Sequence, residues 1–376
     1  MRFSDVVSYG MNRVHRRTQF WVGPLALCCL VHMGPSAFAQ TAADEPAAQS
    51  QPTSAAKPAA KPAAKPAQAA APAKRTLYAP SRSLARQATV ARARAMSTEM
   101  ADTLVPRYKV DASGELVPDI RAAAAIIYDP TTNQVLWEEN SQTPRSIASI
   151  TKVMTAVVFL ENDPDLSQQV TVARSDVYAA STTFLRSNDR VTTDDLMHLL
   201  LIASDNAAAR ALARVSPQGS AGFIDRMNQK ALELGLENTH YADPSGLLSD
   251  NISSAYDMAR LIAYASADER ISSVMRLQEY TVHAAWREIT FRSTDHLLGR
   301  EDMDVLAAKT GFISKAGYCL ATLLRLPQGG HEIAVVVLGA RSNAGRFMET
   351  QNLFAWLASH ATSVFATQTP LALHQQ

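Results

Sequence analysis

The residues of this chain that could do chemistry are grouped in three short motifs. In chain order these are Ser149-Ile150-Thr151-Lys152, Ser204-Asp205-Asn206 and Lys309-Thr310-Gly311. Together they supply a serine with a nearby amine, a polar relay and a lysine able to bind a carboxylate. Acyl transfer to a serine from a substrate with a free carboxylate needs these groups, so the sequence predicts that chemistry.

Two of the motifs occur a second time, so their surroundings decide which copies carry the chemistry. Ser54 and Lys57 repeat the first motif within a segment of Ala, Pro, Gln and Lys that lacks the apolar residues needed to fold. We interpret that copy as chance because nothing rigid would surround the serine. The second motif is repeated at Ser249-Asp250-Asn251, in a turn-rich loop ahead of a predicted helix, and we interpret this copy as helix capping.

Ser149 and Lys152 are three residues apart, so on a helix they lie on one face, with about 5–6 Å between their Cβ atoms. A lysine can take the proton of a serine only when its amine is neutral. Burial of Lys152 and a second cation nearby would both lower its pKa. At the helix N-terminus, Ser149 would also have free backbone N–H groups for an oxyanion. Taken alone, the motif fits an ordinary surface serine and lysine as well.

The second motif offers groups for proton transfer and for orientation of the substrate. Ser204 could relay a proton to the leaving group, and Asn206 could hydrogen-bond both Lys152 and a substrate amide. Helix capping by Ser204 is compatible with these roles.

The third motif lies on a predicted strand. Lys309 and Thr310 could bind a terminal carboxylate, and Gly311 would let a substrate backbone approach closely. Lys309 would also be the second cation that keeps Lys152 neutral. A strand lysine that simply reaches solvent is the alternative.

The pattern of apolar residues predicts strands early and late in the chain, with helices between them. The predicted strands cover residues 122–128, 134–138, 305–312, 318–326 and 332–338. The predicted helices cover residues 152–160, 196–202, 206–215, 223–234, 253–264 and 343–358. Adjacent late strands on short connections favour an antiparallel sheet. We therefore predict an α+β fold with an antiparallel sheet flanked by helices, an inserted helical lobe, and a cleft between lobe and sheet.

The first hundred residues are predicted to be an export signal and a linker. Residues 1–39 combine arginines, an apolar stretch and a small-x-small site, which is typical of a cleaved signal peptide; an uncleaved anchor is less favoured because the stretch is short. Residues 40–104 are rich in Ala, Pro and Lys and then basic, which predicts a disordered linker. We interpret the basic part as a solvated continuation of this linker, with weak contact to anionic wall polymer or a membrane surface as the less favoured alternative. The peptidase domain is predicted over residues 105–363, with a short tail over 364–376.

Composition argues against several other kinds of function. Lys and Arg number 36 against 35 Asp and Glu, so the net charge of +1 gives no support to nucleic-acid binding. Because no His, Cys and carboxylate cluster has metal-ligand spacing, we predict no metal, and the chemistry requires no cofactor. Cys319 lies in an apolar run and is predicted to be a buried thiol. His296 beside Asp295 is interpreted as structural, and not as part of a serine–histidine–aspartate triad.

The three motifs, their order and their surroundings resemble the penicillin-binding proteins of the D-alanyl-D-alanine carboxypeptidase and endopeptidase family. The resemblance extends over roughly residues 105–363. It implies a β-lactamase/transpeptidase-like fold, an acyl-enzyme on Ser149 with Lys152 as base, and a cleft lined by Ser204 and Asn206. It also implies an oxyanion hole built from the backbone N–H groups of Ser149 and Phe312. Peptidoglycan stem peptides would then be the substrates, and β-lactam antibiotics the inhibitors.

Within that family the chain looks most like the small, soluble D-alanyl-D-alanine endopeptidases. Carboxypeptidases of this type usually carry a further β-rich domain and a C-terminal amphipathic membrane helix, which residues 361–376 do not suggest. We therefore expect a periplasmic enzyme that cuts cross-links, with a carboxypeptidase as the first alternative. A class A β-lactamase would need a Glu-x-x-Leu-Asn loop for deacylation, and residues 233–237 do not fit that pattern. A non-catalytic wall-binding protein is the last alternative.

Overall fold

The computed structural model describes residues 104–327 and 330–366, together with scattered residues between 86 and 101. The predicted signal segment, residues 1–39, and nearly all of the predicted linker lie outside the described residues. In the part of the chain that is described, no helix has the length and apolar character needed to cross a membrane.

Strands predominate early and late in the described chain, and most of the helices lie between them. The strands are β1 (Tyr108–Val110), β2 (Leu116–Pro118), β3 (Ala124–Asp129), β4 (Gln134–Glu139), β5 (Arg145–Ser146), β6 (Gln169–Thr171), β7 (Arg190–Thr192), β8 (Ile252–Ser253), β9 (Glu279–Ala284), β10 (Arg287–Arg292), β11 (Asp304–Ile313), β12 (Gly317–Arg325) and β13 (Glu332–Ala340). The helices are α1 (Thr151–Leu160), α2 (Arg174–Val177), α3 (Thr193–Leu201), α4 (Asn206–Val215), α5 (Gly219–Glu233), α6 (Ala255–Ser266), α7 (Glu269–Met275) and α8 (Asn343–Ala366). A single 3₁₀ turn, Ala148–Ile150, leads directly into α1.

The central sheet joins the two ends of the described chain. Its strand order is β11-β12-β13-β3-β4, and every neighbouring pair is antiparallel. The early hairpin joins the late strands through β3 and β13, where Ile126 lies opposite Val336. The predicted α+β fold with an antiparallel sheet is therefore confirmed.

Burial on both faces explains why β3, β12 and β13 are largely apolar runs. Side chains along a strand alternate between the faces. Ile126 and Val336 pack into the core that contains the helices of the middle segment, whereas Ile127 and Val335 pack into the core beneath α8. Cys319 is buried on β12, as predicted, and burial raises the pKa of its thiol.

Between β4 and β11 the chain forms the helical lobe, with three short strand pairs. All ten residues of α1 are buried, because its apolar sequence faces neighbours on every side. The α4 helix begins after Asp205, whose side chain accepts a hydrogen bond from Ala208 N–H. Thr192 caps α3 in the same way, because its side chain accepts a hydrogen bond from Asp195 N–H.

Several elements of the lobe differ from the sequence prediction. The hairpin of β9 and β10, the helix α7 and the pairing of β6 with β7 were not predicted. The predicted capping role of Ser249-Asp250-Asn251 is wrong. The α6 helix is capped by Ser254, whose side chain accepts from Asp257 N–H at 3.0 Å.

Candidate active site

Ser149 lies in the 3₁₀ turn that precedes α1, and two glycines allow this turn to pack closely on its neighbours. Ala148 has a φ of +49°, and a Cβ at Gly246 would clash with the Ala148 carbonyl. A Cβ at Gly311, on β11, would lie 2.7 Å from the Ile147 carbonyl oxygen. The absence of a side chain at Gly311 thus lets the turn around Ser149 pack against β11. We had expected a substrate backbone to occupy this space.

Lys152 is fully buried, and its amine has three hydrogen-bond partners. The Nζ atom lies 3.0 Å from Ser149 Oγ, 2.6 Å from Asn206 Oδ1 and 2.6 Å from the Ser245 carbonyl oxygen. The Asn206 amide is oriented because its Nδ2 donates to the Ala180 carbonyl at 2.7 Å. Two of the three partners can therefore only accept. A neutral amine that donates to both of them points its lone pair at Ser149, the partner that can donate a proton.

Burial lowers the pKa of Lys152 from 10.5 to about 7, because the charged amine loses its hydration. The carboxylates of Asp243 and Asp205 oppose this effect, and the positive charge of Arg210 adds to it. At neutral pH a large share of the molecules therefore carries the neutral amine that a general base requires. Lys309 was expected to supply the second cation, but burial is the main cause of the low pKa.

Ser204 and Asn206 lie at the junction of α3 and α4, as predicted. Ser204 has a φ of +59° and lines the cleft described below. Asp205 between them is fully buried, and its Oδ2 accepts from Phe184 N–H at 2.6 Å and from Thr183 Oγ1 at 3.0 Å. Burial raises the pKa of Asp205, although these hydrogen bonds oppose the change. The carboxylate thus connects the α3–α4 junction to the segment around Phe184.

The β11 strand places the third motif at the edge of the sheet. Lys309 is buried, and its Nζ donates to the Thr310 carbonyl at 3.0 Å. Burial lowers the pKa of Lys309 well below its usual value, and the positive charges of Lys152 and Arg346 contribute. The side chain of Phe312 is half exposed. Because β11 is an edge strand, it carries backbone N–H groups that face away from β12.

A cleft of about 570 Å³ brings most of the predicted site residues together. Six of them line it: Ser149, Ser204, Asn206, Thr310, Gly311 and Phe312. Other lining residues are Ser181, Thr182, Ala203, Gly246, Leu247, Thr294, Ile313, Ser314 and Arg346. Lys152 and Lys309 are buried behind these residues, and Lys152 connects to the cleft through Ser149. A larger groove of about 830 Å³, lined in part by Glu161, Arg226 and Lys230, contains none of the predicted site residues.

Arg346, on α8, is a cleft residue that the sequence analysis missed. Its guanidinium donates to the Gly311 carbonyl at 3.0 Å and to the Cys319 carbonyl at 3.1 Å, and it also donates to Asn343 Oδ1. Burial lowers the pKa of Arg346 to about 10, so the side chain stays charged at neutral pH. The available signal was an arginine within the buried stretch of the predicted C-terminal helix.

The structure places His296 away from any triad with Ser149. Its ring stacks on Phe347 at 4.8 Å, and Asp295 Oδ1 accepts from Leu297 N–H at 3.0 Å. Within residues 104–327 and 330–366, no three His, Cys, Asp or Glu side chains are grouped as metal ligands would be.

Comparison with known proteins gives matches over this same region. The family model for D-alanyl-D-alanine carboxypeptidase, Peptidase_S11, matches residues 111–342. The chain is 32% identical over 244 residues to a D-alanyl-D-alanine endopeptidase of Escherichia coli K12, covering 64% of this chain and 78% of that protein. A D-alanyl-D-alanine endopeptidase of Pseudomonas aeruginosa PAO1 is 32% identical over 246 residues, with 64% and 79% covered.

Solved structures give the same result for the fold. The DD-transpeptidase of Streptomyces K15 superposes with a TM-score of 0.59 and 27% identity, covering 66% of this chain and 98% of that chain. The predicted transpeptidase-like fold is thereby confirmed. Residues 111–342 contain all three motifs and amount to more than half of the chain. The chain therefore belongs to the D-alanyl-D-alanine carboxypeptidase family of serine peptidases, Peptidase_S11.

Proposed function

We propose that this protein is an exported DD-peptidase that hydrolyses D-alanyl peptide bonds of peptidoglycan through an acyl-enzyme on Ser149, and that it cuts cross-links between stem peptides. The observation that carries the proposal is the amine of Lys152. It is fully buried, lies 3.0 Å from Ser149 Oγ, and has a pKa of about 7. Such an amine is a base of the right strength in the right place.

In the proposed acylation, neutral Lys152 takes the hydroxyl proton of Ser149 as Oγ bonds to the D-alanyl carbonyl carbon. The backbone N–H groups of Ser149 and Phe312 stabilise the resulting oxyanion. When the C–N bond breaks, the leaving amine receives the proton from Lys152, relayed by Ser204. In deacylation, Lys152 takes a proton from water as the water attacks the ester, and then returns it to Ser149 Oγ. The net reaction consumes one peptide bond and one water.

The carboxylate next to the scissile bond binds at the β11 end of the cleft. Thr310 and Arg346 line the cleft there, and Lys309 lies behind Thr310 with its Nζ on the Thr310 carbonyl. A positive guanidinium and a hydroxyl suit a carboxylate. We therefore assign carboxylate binding to Thr310 and Arg346, with the Lys309 amine directly behind Thr310, and we assign Gly311 to shaping the turn beside them.

The preference for cross-links is supported by the relatives. Two proteins named D-alanyl-D-alanine endopeptidase each match 64% of the chain and are covered to 78% and 79% of their own lengths. A carboxypeptidase is the second candidate, because the chain is also 31% identical to the D-alanyl-D-alanine carboxypeptidase DacD of E. coli K12, covering 66% of each. In either case the partners are stem peptides, with β-lactams as inhibitors.

The proposal extends to location and domain organisation. Residues 1–39 act as a cleaved signal that delivers the enzyme to the periplasm, and residues 40–104 act as a linker that contacts wall polymer weakly through its basic part. Residues 105–363 form the peptidase domain, and residues 364–376 a short tail.

Digestion of purified cross-linked muropeptides, beside a free pentapeptide, tests the proposed reaction. The full chain is expected to release monomers from the cross-linked substrate. The Ser149→Ala variant is expected to release none, while Ser249→Ala, which removes the hydroxyl of the second copy, cleaves normally. Release of D-alanine alone would contradict the endopeptidase assignment. Unchanged cleavage by Ser149→Ala would contradict the assignment of Ser149 as the nucleophile.

β-Lactam sensitivity is tested by mass spectrometry after addition of benzylpenicillin. A stable adduct on Ser149 is expected, because no Glu-x-x-Leu-Asn loop is present to drive deacylation. Labelling at Ser54 or Ser249 would show that the wrong copy was chosen, and rapid turnover of the antibiotic would identify a β-lactamase.

A further inference from the structure

The loop from Asp243 to Asn251 contacts the helix that carries the proposed base, although we assigned this loop no catalytic role from the sequence. Two consecutive carbonyl groups of the loop accept hydrogen bonds from α1. The Ser245 carbonyl accepts from Lys152 Nζ at 2.6 Å, and the Pro244 carbonyl accepts from Thr155 Oγ1 at 2.6 Å. Lys152 and Thr155 lie on one face of α1, so the loop backbone runs along that face.

The carboxylate of Asp243 maintains the shape of this loop. Its Oδ2 accepts from Ser245 N–H at 2.9 Å and from the Ser245 hydroxyl. Its Oδ1 accepts from Leu248 N–H at 3.1 Å and from Asn251 Nδ2 at 2.6 Å. Asn251 is fully buried, and its Oδ1 accepts from Ala242 N–H at 3.1 Å. These contacts on both carboxylate oxygens place the Ser245 carbonyl where it meets the amine.

Asp243 also places a negative charge near Lys152. Burial alone would raise the pKa of Asp243, but hydrogen bonds from Ser245, Leu248 and Asn251 lower it, so the carboxylate is charged at neutral pH. Its charge is the main electrostatic influence that raises the pKa of Lys152, ahead of Asp205.

The other charged groups around the amine come from two further elements. Asp205, which caps α4, also raises the pKa of Lys152, and Arg210 on α4 lowers it. Lys309, on β11, interacts with Lys152 as well, because the charge of Lys152 lowers the pKa of Lys309. Asp243 is thus one of two carboxylates that moderate the effect of burial on the amine.

We propose that Asp243 is a positioning residue for the reaction, which holds the Ser245 carbonyl on the Lys152 amine and places a fixed negative charge beside that amine. This inference rests on the proposed function of Lys152 as the base. With the carbonyl in place, a neutral amine donates to Asn206 and Ser245 and points its lone pair at Ser149. Without it, the amine can rotate and this alignment is lost.

The two effects of Asp243 can be separated by the pH dependence of acylation. The quantity to measure is the second-order rate constant for acylation of Ser149 by benzylpenicillin, from about pH 5 to pH 9 across the expected titration of the base. The full chain is compared with Asp243→Asn and with Asp250→Asn. Asp250 is a matched control, since it is an exposed carboxylate of the same loop whose Oδ1 contacts Ser249 Oγ at 3.3 Å.

For Asp243→Asn we expect two changes. The plateau rate falls about tenfold or more because the amine is misplaced. The acid limb moves to lower pH, since loss of the negative charge disfavours the protonated amine. Asp250→Asn is expected to match the wild type in both respects. If the acid limb or the plateau of Asp243→Asn coincides with that of Asp250→Asn, the proposal is overturned.

A second variant maintains the test if Asp243→Asn fails to fold. Ser245→Ala removes one donor to the carboxylate but keeps the Ser245 carbonyl and the Asp243 charge. Its plateau is expected to fall several-fold while its acid limb stays at the wild-type pH, and a wild-type plateau would overturn the positioning role. A wild-type chain that forms no Ser149 adduct overturns the proposed function and this inference together. If the wild type forms the adduct and the loop variants acylate with the same plateau rate and acid limb as the wild type, only the inference about Asp243 is overturned.

Discussion

Ser204-Asp205-Asn206 and Ser249-Asp250-Asn251 are identical in sequence but occupy different environments. In the first copy, Ser204 lines the cleft and Asn206 accepts a hydrogen bond directly from Lys152 Nζ. In the second copy, Ser249 is half-buried and lies outside the cleft lining, and Asn251 is buried against Asp243 inside the loop. The first copy meets the proposed base itself, whereas the second supports the loop that meets it.

The difference between the copies shows that the position of a motif in the fold, and not its residue types alone, determines its role. The first copy lies where α3 ends and α4 begins, and this junction places Ser204 and Asn206 at the cleft. The second copy ends a loop in which Asn251 bonds to neighbouring residues of the same loop. Asn206 therefore orients the Lys152 amine, whereas Asn251 stabilises the structure of its own loop.

The Asn206→Ala variant is expected to have the largest effect among the variants that test this comparison of the two copies. This change removes an acceptor 2.6 Å from Lys152 Nζ and leaves the amine with one partner fewer. We expect the rate of Ser149 acylation by benzylpenicillin to fall by about 10²–10³-fold, the size typical of losing an oriented group in proton transfer. The measurement is stopped-flow or gel-based acylation at the wild-type plateau pH. A rate within a factor of about ten of the wild type would place Asn206 outside the proposed machinery.

Asn251→Ala is expected to act mainly on stability. It removes the acceptor of Ala242 N–H and a donor to Asp243, both within a buried part of the loop. Leaving these groups unpaired should lower the free energy of unfolding by about 2–4 kcal/mol. Chemical denaturation measures this loss, with Asn206→Ala as the comparison. If Asn251→Ala unfolds like the wild type while its acylation falls as far as that of Asn206→Ala, the two roles have been assigned to the wrong copies.

The positions of the main elements could be predicted because buried elements leave strong apolar patterns. The α4 helix was predicted over 206–215 and found at Asn206–Val215, and β11 was predicted over 305–312 and found at Asp304–Ile313. The β9–β10 hairpin was missed because its strands mix apolar with charged residues, as in Glu279 and Arg292, and give no clear run.

The chemistry of the site was predictable only where a side chain carries it. Ser149, Lys152 and Asn206 were predicted together, and both Ser149 and Asn206 lie within hydrogen-bonding distance of Lys152 Nζ. The third partner of that amine is the carbonyl of Ser245, and every residue has such a carbonyl. Likewise, Arg346 reaches the cleft through contacts between α8 and the carbonyls of β11 and β12, which only the assembled fold brings together.

The carboxylates of the two copies give a smaller and more specific test. Asp205 raises the pKa of Lys152, whereas Asp250 is exposed and lies outside these contacts. Wild-type acylation is expected to rise with pH through about 7, since Lys152 loses its proton there and only the neutral amine is a base. Asp205→Asn, which keeps a residue able to cap α4, should move this acid limb to lower pH.

Asp250→Asn is the control for this shift, and its acid limb should coincide with that of the wild type. The acid limbs of the wild type, Asp205→Asn and Asp250→Asn are read from pH profiles of acylation. The ionic strength is held constant, because a change in screening would itself shift the pKa of Lys152. An acid limb that moves equally in both variants would mean that overall net charge, and not the position of Asp205, sets the pKa of Lys152.

Ser249→Ala is expected to have the smallest effect of the series. Ser249 is half-buried, but its hydroxyl makes only a long contact of 3.3 Å to Oδ1 of the exposed Asp250, so little is lost when it is removed. We expect the free energy of unfolding to change by less than about 0.5 kcal/mol. Acylation should stay at the wild-type rate, whereas Ser204→Ala should slow it. An equal loss of acylation in both serine variants would mean that Ser204 acts by supporting its loop, and the proton relay would then need another residue of the cleft.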